Sequence, residues 1–373
     1  MPLELFFDLV FVLAVTQCTA LMAEDPTWEG LAQGLLILGV LWWSWVGYSW
    51  LTSVVDPDDG TVRVTIFAAM AAVLVAALCI PEAFDDRGLL FAGAYAVVRV
   101  AQIVLFVVAS ADDPQLRRSV IGLAVSTAIG VSLIGAASFA DGGLQLGVWA
   151  LALALDMGGP YVFGSEGWKL VPGHFAERHG LIMIIALGES IVAIGVGAEA
   201  GVDAGVVAAA VLGIIVAAAL WWLYFDVVAL VAERRLSNAS PGREQNEIAR
   251  DSYSYLHFPM VAGIVLLALG LEKTLAHVDD PLKLVPAVAM LGGVALYLLA
   301  HFAFRYRNIG RYSWQRLICA AVLLALVPLA VEVPALLTLA ILVVALSALI
   351  VDELRRFAEL RLKLRGQLVA EGS

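Results

Sequence analysis

Twelve apolar stretches, each about as long as the roughly 20 residues a helix needs to cross a bilayer, occupy nearly all of this chain. They run near 3–23, 29–51, 62–80, 88–110, 117–138, 143–163, 174–198, 203–231, 253–272, 283–304, 314–331 and 334–352, bounded by charged residues or by Pro and Gly. Inside hydrocarbon a backbone must satisfy its own polar groups, and a helix of this length does so. The linkers are short and acidic (Asp56-Pro57-Asp58-Asp59, Glu82 to Arg87, Asp112-Asp113-Pro114), and the longest, Glu233 to Asp251, is polar. Composition agrees: 62% of the residues are hydrophobic and 15% charged, against roughly 45–50% and 25% in soluble domains. A water-soluble domain is excluded. The expectation is an all-α polytopic membrane protein of about twelve transmembrane helices.

Positive charge tests and orients this set, because cytoplasmic loops of membrane proteins are enriched in Lys and Arg. Of the 22 such residues, 18 fall on the side of the N-terminus, the even-numbered loops and the C-terminus; three, Arg87, Lys273 and Lys283, fall on the other, and Arg99 lies within span four. Both termini are therefore expected in the cytoplasm, with 353–373 a basic tail on the anionic inner leaflet. Met1 to Val15 has no basic lead and carries Glu4 and Asp8, so the first stretch is read as a membrane helix rather than a cleaved signal. The net charge of -11 argues against nucleic acid as a partner; membrane lipids, an ion or small solute, and a second copy of the chain are the partners expected. Cys18, Cys79 and Cys319 sit singly in apolar runs, which excludes a disulfide framework or a zinc ribbon.

The spans repeat in order. Phe7 to Cys18 aligns without gaps on His179 to Ser190, pairing Leu9 with Leu181, Ala14 with Ala186 and Gln17 with Glu189. Trp42-Trp43 is followed by Trp221-Trp222, Tyr95 and Arg99 by Tyr297 and His301, and Arg117-Arg118 by Arg316. Two tandem six-helix repeats, 1–165 and 170–352, are expected. Six is even, so they share one orientation.

An ionisable residue at bilayer depth costs at least about 2.5–3.5 kcal/mol on insertion, so each marks a candidate site. Glu4 and Asp8, four apart, share a face of span one; Gln17 lies deeper on the opposite face. In span seven His174, Arg178 and Glu189 form one stripe, Glu177 flanks it and His179 points away. Glu189 lies among Gly188, Gly195 and Gly197 near mid-membrane and is the strongest candidate for a proton- or cation-binding group. Arg99, Asp156, Asp226, His257 and His301 complete the pathway candidates. Each has a structural alternative. The charges near the interface read equally as loop-anchoring salt bridges, Arg99 as the partner of Asp156 or Asp226, and His257, just before Pro259, as a kink residue. Trp42, Trp43, Trp45 and Trp50 read as packing or an interfacial belt. His174 and Glu177 have a metal-ligand spacing but no second pair, so no metal, cofactor or catalytic residue is assigned.

Glu4-Leu5-Phe6-Phe7-Asp8-Leu9-Val10-Phe11-Val12, followed by His174-Phe175-Ala176-Glu177-Arg178-His179-Gly180-Leu181 and Ile184-Ile185-Ala186-Leu187-Gly188-Glu189-Ser190, resembles the bacterial low temperature requirement A family over nearly the whole chain. The resemblance implies a multi-helix inner-membrane protein whose loss impairs growth in the cold, with signature positions at Glu4, Asp8, His174, Glu177, Arg178 and Glu189. It implies no reaction or substrate. Phe7-Asp8 at the start of a duplicated six-helix unit is also similar to two-repeat potassium channels, but those carry Phe-Ser-Asp and span seven lacks the motif. The tandem repeat and Glu189 point to a transporter-like permease for an ion or small solute, proton-coupled through Glu189. A structural protein of cold adaptation and a membrane-embedded lipid-modifying enzyme are the alternatives.

Overall fold

A computed structural model describes residues 2–55, 59–164, 167–199 and 201–356. These residues are helical, with one isolated bridge between Pro281 and Pro334. A helix stands at each of the twelve expected places: α1 Pro2–Glu24, α2 Trp28–Leu51, α3 Gly60–Cys79, α4 Gly88–Ala109, α5 Pro114–Ala137, α6 Gly142–Val162, α7 Pro172–Gly197, α8 Ala204–Phe225, α9 Arg243–Ala276, α10 Leu284–Ile309, α11 Trp314–Ala325 and α12 Ala335–Arg356. Ten of the described helices are long and apolar enough to cross a membrane; α6 and the shorter α11 are the two outside that set. This is the architecture of a polytopic membrane protein.

The acidic linkers cap helices. Asp59 accepts from Thr61 N at 2.9 Å, Asp113 from Leu116 N at 3.1 Å and Asp203 from Val206 N at 2.8 Å, each satisfying an amide left without an intrahelical partner at a helix start. Lys169, in the α6–α7 connection, reaches Asp113 at 2.9 Å. With its hydrogen bond and the Leu116 amide, Lys169 holds the Asp113 carboxyl below the usual carboxylate range.

α9 lies deepest, with 78% of its most apolar window buried against 33% for α12. It packs on α1, α2, α7, α8 and α10. The α9–α10 crossing is close because both backbones lack a side chain there: a Cβ on Gly293 would lie 2.6 Å from Gly263 O, and one on Gly263 would strike Gly293 O.

The structure departs from the expected boundaries in four places. The polar segment after span eight is partly helical: Val228–Ser237 forms a short helix, and α9 starts at Arg243, ten residues before its expected start at 253. Ala249–Tyr255 within α9 and Val288–Gly292 within α10 wind as π-helix, a register slip that apolar periodicity does not encode. α11 stops at Ala325, and Val327–Ala330 resumes with Pro328 in its first turn, because proline has no amide to donate into the preceding helix. α12 extends to Arg356; the rest of the expected basic tail, 357–373, lies outside the described residues.

Candidate functional site

α1 and α7 run side by side and parallel, their contacts advancing in step from Glu4–His174 through Asp8–Arg178 to Thr16–Glu189. At the N-terminal end the two charged motifs interlock. His174 Nε2 lies 2.8 Å from Glu4 Oε2, and Arg178 Nη2 donates to Asp8 Oδ1 at 2.6 Å. Trp45 Nε1 donates to the same oxygen at 2.8 Å, and Arg178 Nη1 to Thr52 Oγ1 at 3.1 Å. The Arg178 guanidinium also lies 5.5 Å from the Trp45 ring centroid, a cation–π contact. Glu4, Asp8 and Arg178 are at most 4% exposed as side chains, whereas His174 keeps 23% and forms the open edge of the cluster. Two acids and a guanidinium in so little water must remain paired, and the contacts above pair them, while Asp8 Oδ2 and Arg178 Nε have no hydrogen-bond partner among the described residues.

Deeper along the same pair of helices, the Glu189 carboxylate accepts from Thr16 Oγ1 at 2.7 Å. Eleven residues separate it from Arg178, about 16 Å along the axis, and Phe11, Ala14, Ile182 and Ala186 fill the interval. Glu189 lines a cavity of about 300 Å³ with Thr16, Thr19, Glu24, Glu272 and Lys273. Lys273 pairs with Glu272 at 3.2 Å. Among the described residues no cation pairs with Glu189, so the lining carries three carboxylates and one ammonium. This cavity lies towards the C-terminal ends of α1, α7 and α9, away from the Glu4–Arg178 cluster.

Two further polar centres are buried. Arg99 Nη2 holds both Asp156 oxygens at 3.0 and 3.1 Å, Thr127 donates to Asp156 Oδ1 at 3.1 Å and Tyr95 to its Oδ2 at 3.3 Å. Of the two acids proposed for Arg99, the structure thus selects Asp156; Asp226 is half-buried at the end of α8. In the second half Arg316 grips Glu353 at 2.8 and 2.9 Å and donates to His301 Nδ1. His257 meets Tyr224 OH through Nε2 at 2.8 Å and the Ser252 carbonyl through Nδ1 at 3.0 Å. That carbonyl belongs to the π-helical stretch, and the aromatic faces of His257 and Tyr253 stack 5.2 Å apart.

The structure brings Glu4, Asp8, His174 and Arg178 into one cluster. It leaves Glu177 exposed on another groove with Glu233, and half-buried Gln17 outside the Glu189 cavity. Sequence reasoning missed Thr16, Thr19, Thr52, Glu272 and Lys273, whose residue types are unremarkable near helix ends. It also missed Trp45 as a hydrogen-bond donor. Trp42, Trp45 and Trp50 all turn their indole N–H groups to buried acceptors. Among the described residues no group of three or more His, Cys, Asp or Glu stands ready to hold a metal ion.

The profile of the bacterial low temperature requirement A protein (LtrA) matches residues 1–351. The chain belongs to this family. It is also similar to an uncharacterised protein of Rhizobium meliloti (strain 1021), 30% identical over 306 residues, which covers 79% of this chain and 74% of that one. No solved structure matches. The motif segments that carry the family resemblance are the segments that α1 and α7 press together.

Proposed function

We propose that this protein is a permease for an ion or small solute in the bacterial inner membrane, coupled to a proton or cation held at Glu189. The observation that carries the reading is the Glu189 cavity: a buried carboxylate with no basic partner among the described residues, two threonine hydroxyls beside it, and two more carboxylates at the rim. Such a site attracts a cation and offers oxygen ligands to it. The Glu4–Asp8–Arg178 ion pairs, open only at His174, then stand at the other end of the same helix pair. The parallel course of α1 and α7 supports two six-helix repeats of one orientation. So does the packing, in which α1–α3, α2–α6, α3–α4 and α5–α6 have counterparts in α7–α9, α8–α12, α9–α10 and α11–α12. On this reading there are twelve crossings and both termini are cytoplasmic. Membrane lipid meets the exposed valines 100, 104, 107 and 108 of α4.

The test is flux into proteoliposomes under an imposed pH or ion gradient. Gradient-driven uptake is expected with the unaltered chain and its loss with Glu189→Gln. Equal uptake by the variant removes Glu189 from the mechanism, and absence of gradient-driven flux for all ions and solutes overturns the permease reading.

A further inference from the structure

Behind the Arg99–Asp156 pair lies a second cavity, of about 50 Å³, enclosed by α2, α4, α5, α6, the α6–α7 connection and the start of α9. Trp43, Trp50, Trp168 and Phe106 form its aromatic walls, and Gly47, Arg99 and Gln102 complete the part that matters here. Three buried N–H groups of these lining residues have no hydrogen-bond partner: Trp43 Nε1, Arg99 Nε and Gln102 Nε2. Other buried atoms of this fold also lack a partner, Asp8 Oδ2 and Arg178 Nε among them, but here three, all donors, line one small cavity, and a single acceptor in it would satisfy them.

All three are donors. The nearby acceptors are committed: Gln102 Oε1 takes Arg99 Nη1 at 2.9 Å, and both Asp156 oxygens are held by Arg99, Thr127 and Tyr95. A cation or a donor-rich solute would find these oxygens already engaged and only the ring faces open to it. Arg250 on the lining reaches Asp251 at 2.8 Å, as does Arg307 beyond the lining at 3.0 Å. On the lining itself Arg99 and Arg250 each pair with one carboxylate, and among the described residues no carboxylate lines the cavity to repel an anion. A single water needs about 10–15 Å³ by this measure, so the cavity admits a solute of only a few heavy atoms, and its aromatic walls favour one that sheds water easily.

We propose that this cavity binds a small, weakly hydrated monovalent anion of the size of nitrate, formate or chloride. The three N–H groups converge on its acceptor atoms and the aromatic rings pack around it. The assignment is independent of Glu189 and of transport, since occupancy is an equilibrium property of the folded chain.

Isothermal titration calorimetry on the full chain in nanodiscs tests it, with sodium nitrate, formate or chloride added to a gluconate buffer and urea as a neutral acceptor of similar size. Saturable one-to-one binding of at least one anion is expected, with a matching rise in melting temperature. Trp43→Phe removes one donor, and Gln102→Leu removes another while releasing Arg99 Nη1 from Gln102 Oε1; Arg99 keeps Asp156 in both. Trp43→Phe, the cleaner of the two, is expected to weaken binding about tenfold or more, the worth of one charge-assisted hydrogen bond. Gly47→Ala is expected to do the same by another route, because its Cβ would push the Gln102 amide into the cavity. Glu189→Gln is expected to bind the anion as the unaltered chain does, which separates this proposal from the permease reading. Absence of saturable binding and of a melting shift for all three anions overturns the proposal, as does unchanged affinity in both folded donor variants. Urea binding as tightly as the anions also overturns it.

Discussion

Arg178 shows what a single charge does when lipid and apolar side chains surround it. Its guanidinium is shared among Asp8, Glu4, Thr52 and the Trp45 ring, and removing it strands two buried acids. Leaving a buried charge without its partner costs about 3–5 kcal/mol, whereas replacing both partners by apolar groups costs far less. Arg178→Met is therefore expected to destabilise the protein by about that amount in detergent unfolding, and Asp8→Leu combined with Arg178→Met to regain part of it. The recovery is partial because the Trp45 indole loses its acceptor. A double variant as unstable as the sum of the single changes would contradict the pairing. These charges were legible because their cost in a bilayer makes each one conspicuous. Thr16 and Thr52 were not, since a hydroxyl can satisfy itself on its own helix. Neither was the choice of Asp156 over Asp226, because no periodicity within one helix says which other helix stands beside it.

At the level of helices, existence was legible from length and apolarity alone, and all twelve segments stand as helices. Their ends were less so. Caps such as Asp113 are readable as residue types, but the π-helical turns and the early start of α9 depend on contacts that local sequence does not carry. The α9–α10 crossing yields a sharp expectation. At Gly293 a side chain meets Gly263 O and Leu266 Cβ within 3 Å, and overpacking of this kind costs about 1–3 kcal/mol or more. Gly293→Val should lower the melting temperature clearly, whereas Gly188→Ala, where a Cβ meets nothing within 4 Å, should leave it unchanged. The start of α5 yields an expectation in pH. Lys169 and the Leu116 amide favour the ionised form of Asp113, so its folded pKa lies below the unfolded one. The stabilisation is then present above the unfolded value and disappears as pH falls through the lowered one. Hydrogen exchange in the α6–α7 connection, corrected for intrinsic rate, should rise below the carboxylate range in the unaltered chain and already be raised at neutral pH in Asp113→Asn. Equal protection in the two at neutral pH would remove the Lys169–Asp113 tie.

Across the whole molecule, the distribution of Lys and Arg decides how the chain sits in its membrane. All three cysteines are buried, so single exposed cysteines can be placed on that background. Asp85→Cys, between α3 and α4, should react with a membrane-impermeant maleimide on intact spheroplasts. Ser237→Cys, after the short helix that follows α8, should react only once the membrane is opened. The reverse result would invert the topology.

The π-helical turn of α9 bears on how such a molecule can move. Ser254 receives Trp42 on its carbonyl at 2.8 Å and Trp50 on its hydroxyl at 3.0 Å. Two indoles of the first six helices thus clasp one residue of the second six. Rocking about the midpoint of the chain would have to break both of these buried bonds. On the permease reading, the cheaper hinge line would keep α2 and α9 together as a fulcrum and let the helices around them swing. The seam between the halves in sequence would then differ from the seam between the bodies that move.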